Sequence, residues 1–389
     1  MPAATLQTST ASAPYDALSQ IYGTHYWSGS ITISPSSANF TRWDTEAATF
    51  VDNSQSPPVV THTVSHAALN GTISTLVQSG IDLITTFANI DASIPSTPSS
   101  TATILMGDGQ STSDPGVRGF VPSNTLDMLV YRNTDFGNLS TQMQQYIVRH
   151  ELLHALGLKH SIGGPGHVDF SQYTNMSYNF VSLDGGTDDG SASVGVAFTP
   201  MALDIAVLQA RYGANTSTNS SDTVYYLSKS SGTPDIDGAD GSEDNKHQYI
   251  GIWDTGGTDT IQYDGNERVL LNLNSATLTL TDDSATTRII DALQLTSAWS
   301  GLSSDTKTEI SDADYHAGGF FSSILKSNGD REPGGYTIAK GATIEHAIGG
   351  SDNDILIGND AANLLWGRGG DDGIVDGGDA STGGVGVMT

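Results

Sequence analysis

Apolar positions recur at helical spacing in two stretches of the first half of the chain. Tyr146, Ile147, His150, Leu153, His154 and Gly157 fall on one stripe, and the 3.6-residue period predicts an amphipathic helix. Thr141 and Gln144 read as a capping box at its start. Leu203, Val207, Leu208 and Tyr212 mark a second helix, with Thr199 as N-cap, Pro200 at the first helical position and Gly213 as its stop. A third helix is predicted within His66 to Ile90, where Ile73, Leu76, Ile81, Leu83 and Ile84 offer a packing face. Short β-prone runs lie at Ser30–Ser34, Thr101–Gly107 and Leu126–Arg132. A mixed sheet with helices follows for residues 1–213. Leu126–Arg132 is the candidate for an edge strand that receives an extended peptide by strand addition.

Past Gly213 the texture changes to glycine, aspartate, asparagine and short apolar runs. Gly349–Ile357, Gly358–Trp366 and Gly367–Val375 align as blocks of nine. They share a leading glycine, Asp354, Asn363 and Asp372 at the sixth position, and Leu356, Leu365 and Ile374 at the eighth. This is the repeat of a parallel β-roll, in which each half-turn sends one apolar side chain inward. Carbonyls and aspartates of stacked turns offer hard oxygen ligands to Ca²⁺. Gly350, Asp352 and Asp354, then Asn359, Ala361 and Asn363, then Arg368, Gly370 and Asp372 are the positions concerned. Asp352 stands where the repeat has glycine, Arg368 replaces a second glycine, and the block from Asp376 loses the pattern. The fold class is therefore α+β, in two domains, 1–213 and 214–389.

Composition narrows the partners. The 389 residues carry 15 basic and 43 acidic side chains, a net charge of −28. That argues against nucleic acid or an anionic membrane as partner and suits a chain whose aspartates await divalent cations. With no cysteine, disulfides and thiolate metal sites are excluded. No segment is long and apolar enough to span a membrane, and the first twenty residues lack the basic start and apolar core of a secretory signal peptide.

The chemistry concentrates in RHELLHALGLKH, Arg149 to His160. His150 and His154 lie one helical turn apart on the same face, where two imidazoles can share one Zn²⁺. Gly157 tolerates the positive φ of a sharp helix exit, which lets His160 return to the same metal. Three neutral ligands leave a position open for water, the arrangement of a catalytic zinc. Glu151 follows the first ligand directly and is the candidate general base.

The long zinc motif followed by Met176 and Tyr178 in TNMSYNF resembles the metzincin proteases, and the M-S-Y form resembles their serralysin branch. The resemblance implies a metzincin zinc-protease domain followed by a C-terminal calcium-binding β-roll with RTX-type repeats. It implies that Tyr178 is a further zinc ligand able to swing away during turnover, and that Met176 is an apolar floor beneath the metal. RYGANTSTNSSDTVYYL and WDTGGTDTIQYDG resemble the family's stretches just before the repeats. By that resemblance Asn219, Ser221, Thr223, Asp254, Gly256, Gly257 and Asp259 hold calcium, with Thr343 and Glu345 added from GATIEHAIGG. The segment from Asp283 to Gly341 runs longer than the family pattern, and the chain stops sooner after the repeats.

The expectation is a secreted zinc-dependent endopeptidase, a monomeric enzyme with one catalytic Zn²⁺ and several structural Ca²⁺ ions. Glu151 activates the water at the open zinc position, and Tyr178 helps hold the oxyanion. Its partners are protein or peptide substrates and a proteinaceous inhibitor, and its export follows a type I-like route without an N-terminal signal peptide. An alternative is a calcium-dependent extracellular binding or adhesive protein with a vestigial zinc centre, against which the intact Glu151 speaks. A zinc hydrolase acting on a non-peptide amide is a third reading.

Overall fold

The computed structural model describes residues 5–8, 12–19, 21–23, 25–35, 50–52, 59–62, 64–67, 71–94, 104–111, 119–120, 128–131, 136, 139, 141–161, 169–179, 181–182, 194–227, 234–236, 248–280, 293–294, 296–332, 334–377 and 387–388. They form two compact units. The first comprises residues 1–11, 22–159 and 211–213, the second 12–21, 160–210 and 214–389.

In the first unit β1 (Thr5–Thr8) pairs antiparallel with β2 (His25–Ser28). A larger sheet is built from β3 (Ile31–Pro35), β6 (Val64–Ala67), β7 (Ala92–Ser93), β8 (Ile104–Ser111), β9 (Gly119–Phe120) and β10 (Met128–Tyr131), while β4 (Phe50–Asp52) and β5 (Val59–His62) pair separately. The main order is β7-β3-β8-β10-β9, with β6 antiparallel to β8. Among the described residues of this unit are two helices, α1 (Gly71–Phe87) and α2 (Thr141–Ala155). Helix α1 buries Ile73, Val77, Ile81 and Ile84, and α2 buries Tyr146, Ile147, Leu152 and Leu153. A Cβ on Gly80 of α1 would lie 2.6 Å from the Leu152 side chain of α2, so glycine sets how closely the two helices approach.

Two expectations are corrected here. Strand β10 is not the sheet edge: Leu129 and Val130 pair with Phe120 and Gly119 of β9, so the two-residue β9 takes the outer place. Leu126, Asp127 and Arg132 lie outside the described residues, as do Thr101–Thr103 of the second predicted strand. The helix expected within His66 to Ile90 is α1, Gly71–Phe87, and His66 itself belongs to β6. The Gln144 amide does not close a box on Thr141; it donates to the carbonyls of Phe136 and Leu139 at 3.1 Å, fastening the loop before α2.

The second unit carries β11 (Val181–Ser182), β12 (Val194–Ala197) and most of α3 (Ala202–Tyr212), and then a long β-rich region. This region holds β13 (Val224–Leu227), β14 (Pro234–Ile236), β15 (Gln248–Ile252), β16 (Thr260–Tyr263) and β17 (Val269–Asn272). After them come helices α4 (Ser297–Ser300), α5 (Ser304–Ser311) and α6 (Ala313–Ala317). The chain ends in β18 (Ser323–Ile324), β19 (Gly335–Ile338), β20 (His346–Ile348), β21 (Ile355–Ile357), β22 (Leu364–Trp366), β23 (Gly373–Val375) and β24 (Val387–Met388). Successive nine-residue blocks alternate between two sheets. One has the order β14-β13-β16-β20-β22-β24, the other β18-β17-β21-β23, and the consecutive members from β20 and β21 onward pair in parallel. Ile355 therefore aligns with Gly373, and His346 with Leu364, two blocks apart. Leu356 and Leu365 are fully buried as the repeat requires, whereas in the third block Val375 is buried and Ile374 only half so. A further sheet, β11-β12-β15-β19, completes the unit.

Among the described residues no helix is long and apolar enough to cross a membrane. Thr199 does not cap α3. Its hydroxyl accepts from Gly251 N at 2.6 Å and donates to Pro200 O, and the first-turn donor of Met201 goes instead to Asp204 at 2.9 Å.

Candidate metal centre

The sequence stops α2 with a glycine, and the geometry explains why. Gly157 N donates to His154 O at 2.9 Å and Leu158 N to Leu153 O at 3.0 Å, the two bonds of a Schellman turn. Gly157 has φ +98°, and a Cβ there would lie 2.3 Å from the carbonyl oxygen of His25. The remaining helix-end carbonyls also find donors: Trp27 Nε1 reaches Ala155 O at 3.1 Å and the Tyr212 hydroxyl reaches Leu156 O at 2.9 Å.

Along this continuous run, one ligand nitrogen from each of His150, His154 and His160 lies within 4.8 Å of the others. The Nε2 atoms of His150 and His154 are 3.1 Å apart. Two nitrogens at about 2.0–2.1 Å from one tetrahedral zinc stand about 3.3 Å apart, so the pair is spaced for a shared ion. His154 Nδ1 lies 2.9 Å from Leu158 O. Donation to that carbonyl leaves Nε2 as the lone-pair nitrogen and sets the ring's orientation, as supporting bonds do in metal sites. Burial pushes His160 down to about 4 against the pull of Asp169, which favours the neutral imidazole a metal needs. The donor set thus fits zinc.

Glu151 is buried, and its Oε2 has no hydrogen-bond partner among the described residues. Burial pushes its carboxyl up to about 8. A buried carboxylate oxygen without a donor suits a group whose partner is a water or a substrate.

Tyr178 is 54% exposed, and its hydroxyl is 2.6 Å from His160 Nε2. Two backbone links hold the loops together: Ser161 N donates to Met176 O at 3.2 Å, and Ser171 N to Asn179 O at 3.0 Å. Met176 is fully buried.

Sequence reasoning missed what underlies this turn. Asp204 of α3 is fully buried and accepts three hydrogen bonds, from the Thr174 hydroxyl and Asn175 N at 2.6 Å each and from Met201 N at 2.9 Å. Thr174 Oγ1 in turn accepts from Met176 N at 3.0 Å. A lone acidic residue in a predicted apolar helix was the available signal.

The residues assigned to calcium also gather. Thr223 N donates to Asp259 Oδ1 at 2.8 Å, and Gly256 N donates to Asp254 Oδ1 at 3.0 Å. Asp259 N donates to Glu345 Oε2 at 2.8 Å. Gly257 has φ +133°, and its Cβ would fall 2.7 Å from Ser221 O. Asn219 adopts φ +46° and donates to the Tyr225 hydroxyl, which donates to Asp254 Oδ2. Asp259 Oδ2 is buried without a partner, and burial, with the nearby charges of Asp254 and Glu345, pushes this carboxyl up to about 7. An orphaned carboxylate oxygen beside two more acids fits a cation. Thr343 is exposed two residues before Glu345.

In the repeats, Asp354 accepts from Val269 N and Gly350 N, and Asp372 accepts from Asp354 N. Asn363 accepts from Asn359 N, and Asn359 from Ala361 N. Burial first, then Asp372 and Asp352, push Asp354 up to about 7. Arg368 takes φ +66°, pairs with Asp264 at 2.7 Å, and precedes Gly370, whose Cβ would strike Asp352 O.

Helices, sheets and three converging histidines define an α+β protein with a histidine cluster that could hold a metal ion. The chain is 30% identical over 227 residues to a serralysin of Photorhabdus laumondii, a match covering 56% of this chain and 37% of that protein. It is 34% identical over 224 residues to serralysin B of Dickeya chrysanthemi, covering 54% and 35%. It is 32% identical over 229 residues to metalloprotease AprA of Pseudomonas entomophila, covering 56% and 37%. The chain is thus related to the serralysin-type metalloproteases, although each match spans little more than a third of the relative's length. No family model matches the chain.

Proposed function

We propose that the chain is a secreted zinc-dependent endopeptidase, with a catalytic domain at 1–213 and a calcium-binding parallel β-roll at 214–389. The observation that carries this reading is the facing pair of Nε2 atoms, 3.1 Å apart on one helical face, with Glu151 next in the chain to the first of them. His150, His154 and His160 would hold the metal, and Tyr178 would join them between turnovers. Zinc supplies Lewis acidity there, lowering the pKa of water and polarising a carbonyl.

The chain's own groups do the rest. Glu151 takes a proton from the attacking water and passes it to the leaving amine. The Tyr178 hydroxyl, which reaches His160 in the substrate-free state, donates to the oxyanion that develops on the scissile carbonyl. The Schellman turn at Gly157 fixes the return of His160, and the Asp204 network fixes the turn before Tyr178. In the second half, Asp254, Asp259, Glu345 and the repeat positions hold calcium, which removes the repulsion among buried carboxylates. Action on protein substrates accords with the names of the relatives, and export before calcium binding and a monomeric state belong to the same proposal.

The test is casein digestion by the zinc- and calcium-loaded chain, with and without a chelator, beside Glu151→Gln. The reading expects activity only in the loaded wild type, a rate loss of about 10²–10⁴ or more in the variant, and about one zinc per chain in both. Cleavage by Glu151→Gln at the wild-type rate would overturn the assignment of the base.

A further inference from the structure

The long segment between β17 and β19 meets the turn that carries Met176 at Tyr173, a fully buried residue. The Tyr173 ring lies 6.1 Å from that of Tyr315 and 6.3 Å from that of Phe321, edge-on to both, within the range where aromatic pairs attract. Gly318 closes a third side. A Cβ built there would stand 2.6 Å from two atoms of the Tyr173 ring, and its three nearest atoms all belong to Tyr173.

These three residues are held from behind. Leu302, Ile310 and Phe320 share a core with Leu270 of β17 and with Ile355 and Ile357 of β21. Thr277 N and Leu278 N donate to His316 O and Ala317 O at 3.0 and 3.1 Å, which fixes the backbone just before Gly318. Arg331 is 7% exposed; its Nε bonds Glu309 Oε2 at 2.5 Å, and its guanidinium lies 3.4 Å over the Phe321 ring. A guanidinium paired on one side and stacked on the other holds that ring in place.

Tyr173 adjoins the network that sets the turn. Its carbonyl accepts from Leu203 N at 3.3 Å. The next residue, Thr174, bonds Asp204 and receives Met176 N, and Met176 O accepts from Ser161 N, beside His160. The neighbouring side chains Phe170 and Gln172 border a cavity of about 390 Å³. Close-packed groups pass a displacement on, whereas a void leaves room for one. The segment therefore bears on the turn at Tyr173, and the turn has space to shift when that ring is pushed.

We propose that residues 297–332 clamp the methionine turn, and that Tyr173 is the positioning residue through which they set His160 and Tyr178 for turnover. This rests on the endopeptidase reading above. The effect passes along Tyr173, Thr174 and Met176. A tyrosine that only fills the core would register in the melting temperature alone; a positioning one registers in kcat and zinc affinity as well.

Gly318→Ala probes the clamp, because Gly318 lies outside the left-handed region and the added methyl meets Tyr173 first. In the zinc- and calcium-loaded full chain, kcat on a fluorogenic peptide should fall roughly tenfold or more while KM stays within about twofold, since a misplaced oxyanion donor is missed in the transition state. Zinc affinity, read by competition with a chromogenic chelator, should fall roughly tenfold, as it does when the support behind a ligand is lost. Tyr173→Phe keeps the ring and should keep both values. Tyr173→Leu should lose them, and adding Gly318→Ala to it should cost nothing further, since the ring that met the methyl is gone. If Gly318→Ala does not fold, Tyr315→Leu opens one wall of the clamp at a half-buried ring and should show the same losses in smaller measure. Wild-type kcat and zinc affinity in a folded Gly318→Ala or Tyr315→Leu, or a full further loss in the double variant, would overturn the clamp. Zinc bound by the wild type without peptide cleavage would instead overturn the endopeptidase reading, and zinc affinity would then decide the clamp by itself.

Discussion

Asp204 Oδ1 accepts a hydrogen bond from the Thr174 hydroxyl at 2.6 Å, and that hydroxyl in turn accepts from Met176 N at 3.0 Å. The same carboxylate bonds Asn175 N and Met201 N. One side chain on α3 therefore ties the start of its own helix to the turn that leads to Tyr178.

Burial outweighs those three donors and pushes the Asp204 carboxyl up from 3.8 to about 6. The folded state then keeps a proton that the unfolded chain releases near its ordinary value. This group's contribution to stability is complete below about pH 4 and falls as pH rises toward 6. Asp204→Asn cannot titrate. Relative to that variant, wild type should be more stable at pH 4 than above pH 6 by an extra ~3 kcal/mol, the equivalent of about two pKa units. Urea unfolding of both proteins across that range measures it, since other titrating groups cancel in the difference. Parallel stability curves would show that Asp204 is not the titrating group.

Gly157→Ala should lose both stability and zinc. The backbone there has φ +98°, and the new Cβ would stand 2.3 Å from His25 O. The conformation alone costs an alanine about 1–2 kcal/mol, and the clash adds to it. Gly157→Asn tests the cause: asparagine tolerates positive φ but carries the same Cβ, so it should fail as well. Competition with a chromogenic chelator reads the zinc affinity, and wild-type affinity in the asparagine variant would acquit the contact with His25.

The metal centre was legible in the sequence because its parts are local. Two histidines four apart, a glycine and a third histidine span eleven positions, and helical periodicity places them without any distant contact. The same holds for the nine-residue period of Leu356 and Leu365, and for Gly213, whose φ of +80° ends α3 as expected. What was hidden depends on partners far along the chain. Gln144 turned from Thr141 to Phe136 O, and Thr199 was claimed by Gly251 N, 52 residues away. The two-residue β9 has no periodicity to read, so β10 looked like an edge. Arg331 finds Glu309 across 22 residues, and no local pattern in Asp283–Gly341 announces that pair or the cavity beside it.

Tyr178→Phe should lower kcat far more than it raises KM. The hydroxyl is 2.6 Å from His160 Nε2 and the ring is half exposed, so its removal leaves no buried cavity. An oxyanion donor acts in the transition state, and losing one costs about 10²–10³ in kcat. Steady-state kinetics on a fluorogenic peptide separates the two constants. An unchanged kcat in a folded variant would take Tyr178 out of the catalytic set.

Calcium should stabilise the full chain, and Asp259 should carry part of that effect. Its Oδ2 is buried without a partner while Oδ1 holds Thr223 N. Near it stand Asp254 and Glu345, which oppose its ionisation. Without calcium, Asp259→Asn removes a repulsive charge, so the variant should melt at the wild-type temperature or above it. With calcium, the variant lacks an anionic ligand and should gain less, because the ion's stabilisation follows its affinity for the folded state. The midpoint shift on adding millimolar calcium to dialysed, zinc-supplemented protein should therefore shrink in Asp259→Asn from both ends. Strand signal in far-ultraviolet circular dichroism should follow the same order, since stacked turns create the sites they need. An equal calcium-induced shift in the two proteins would remove Asp259 from the ligand set, and no shift in either would remove calcium from the account of this half of the chain.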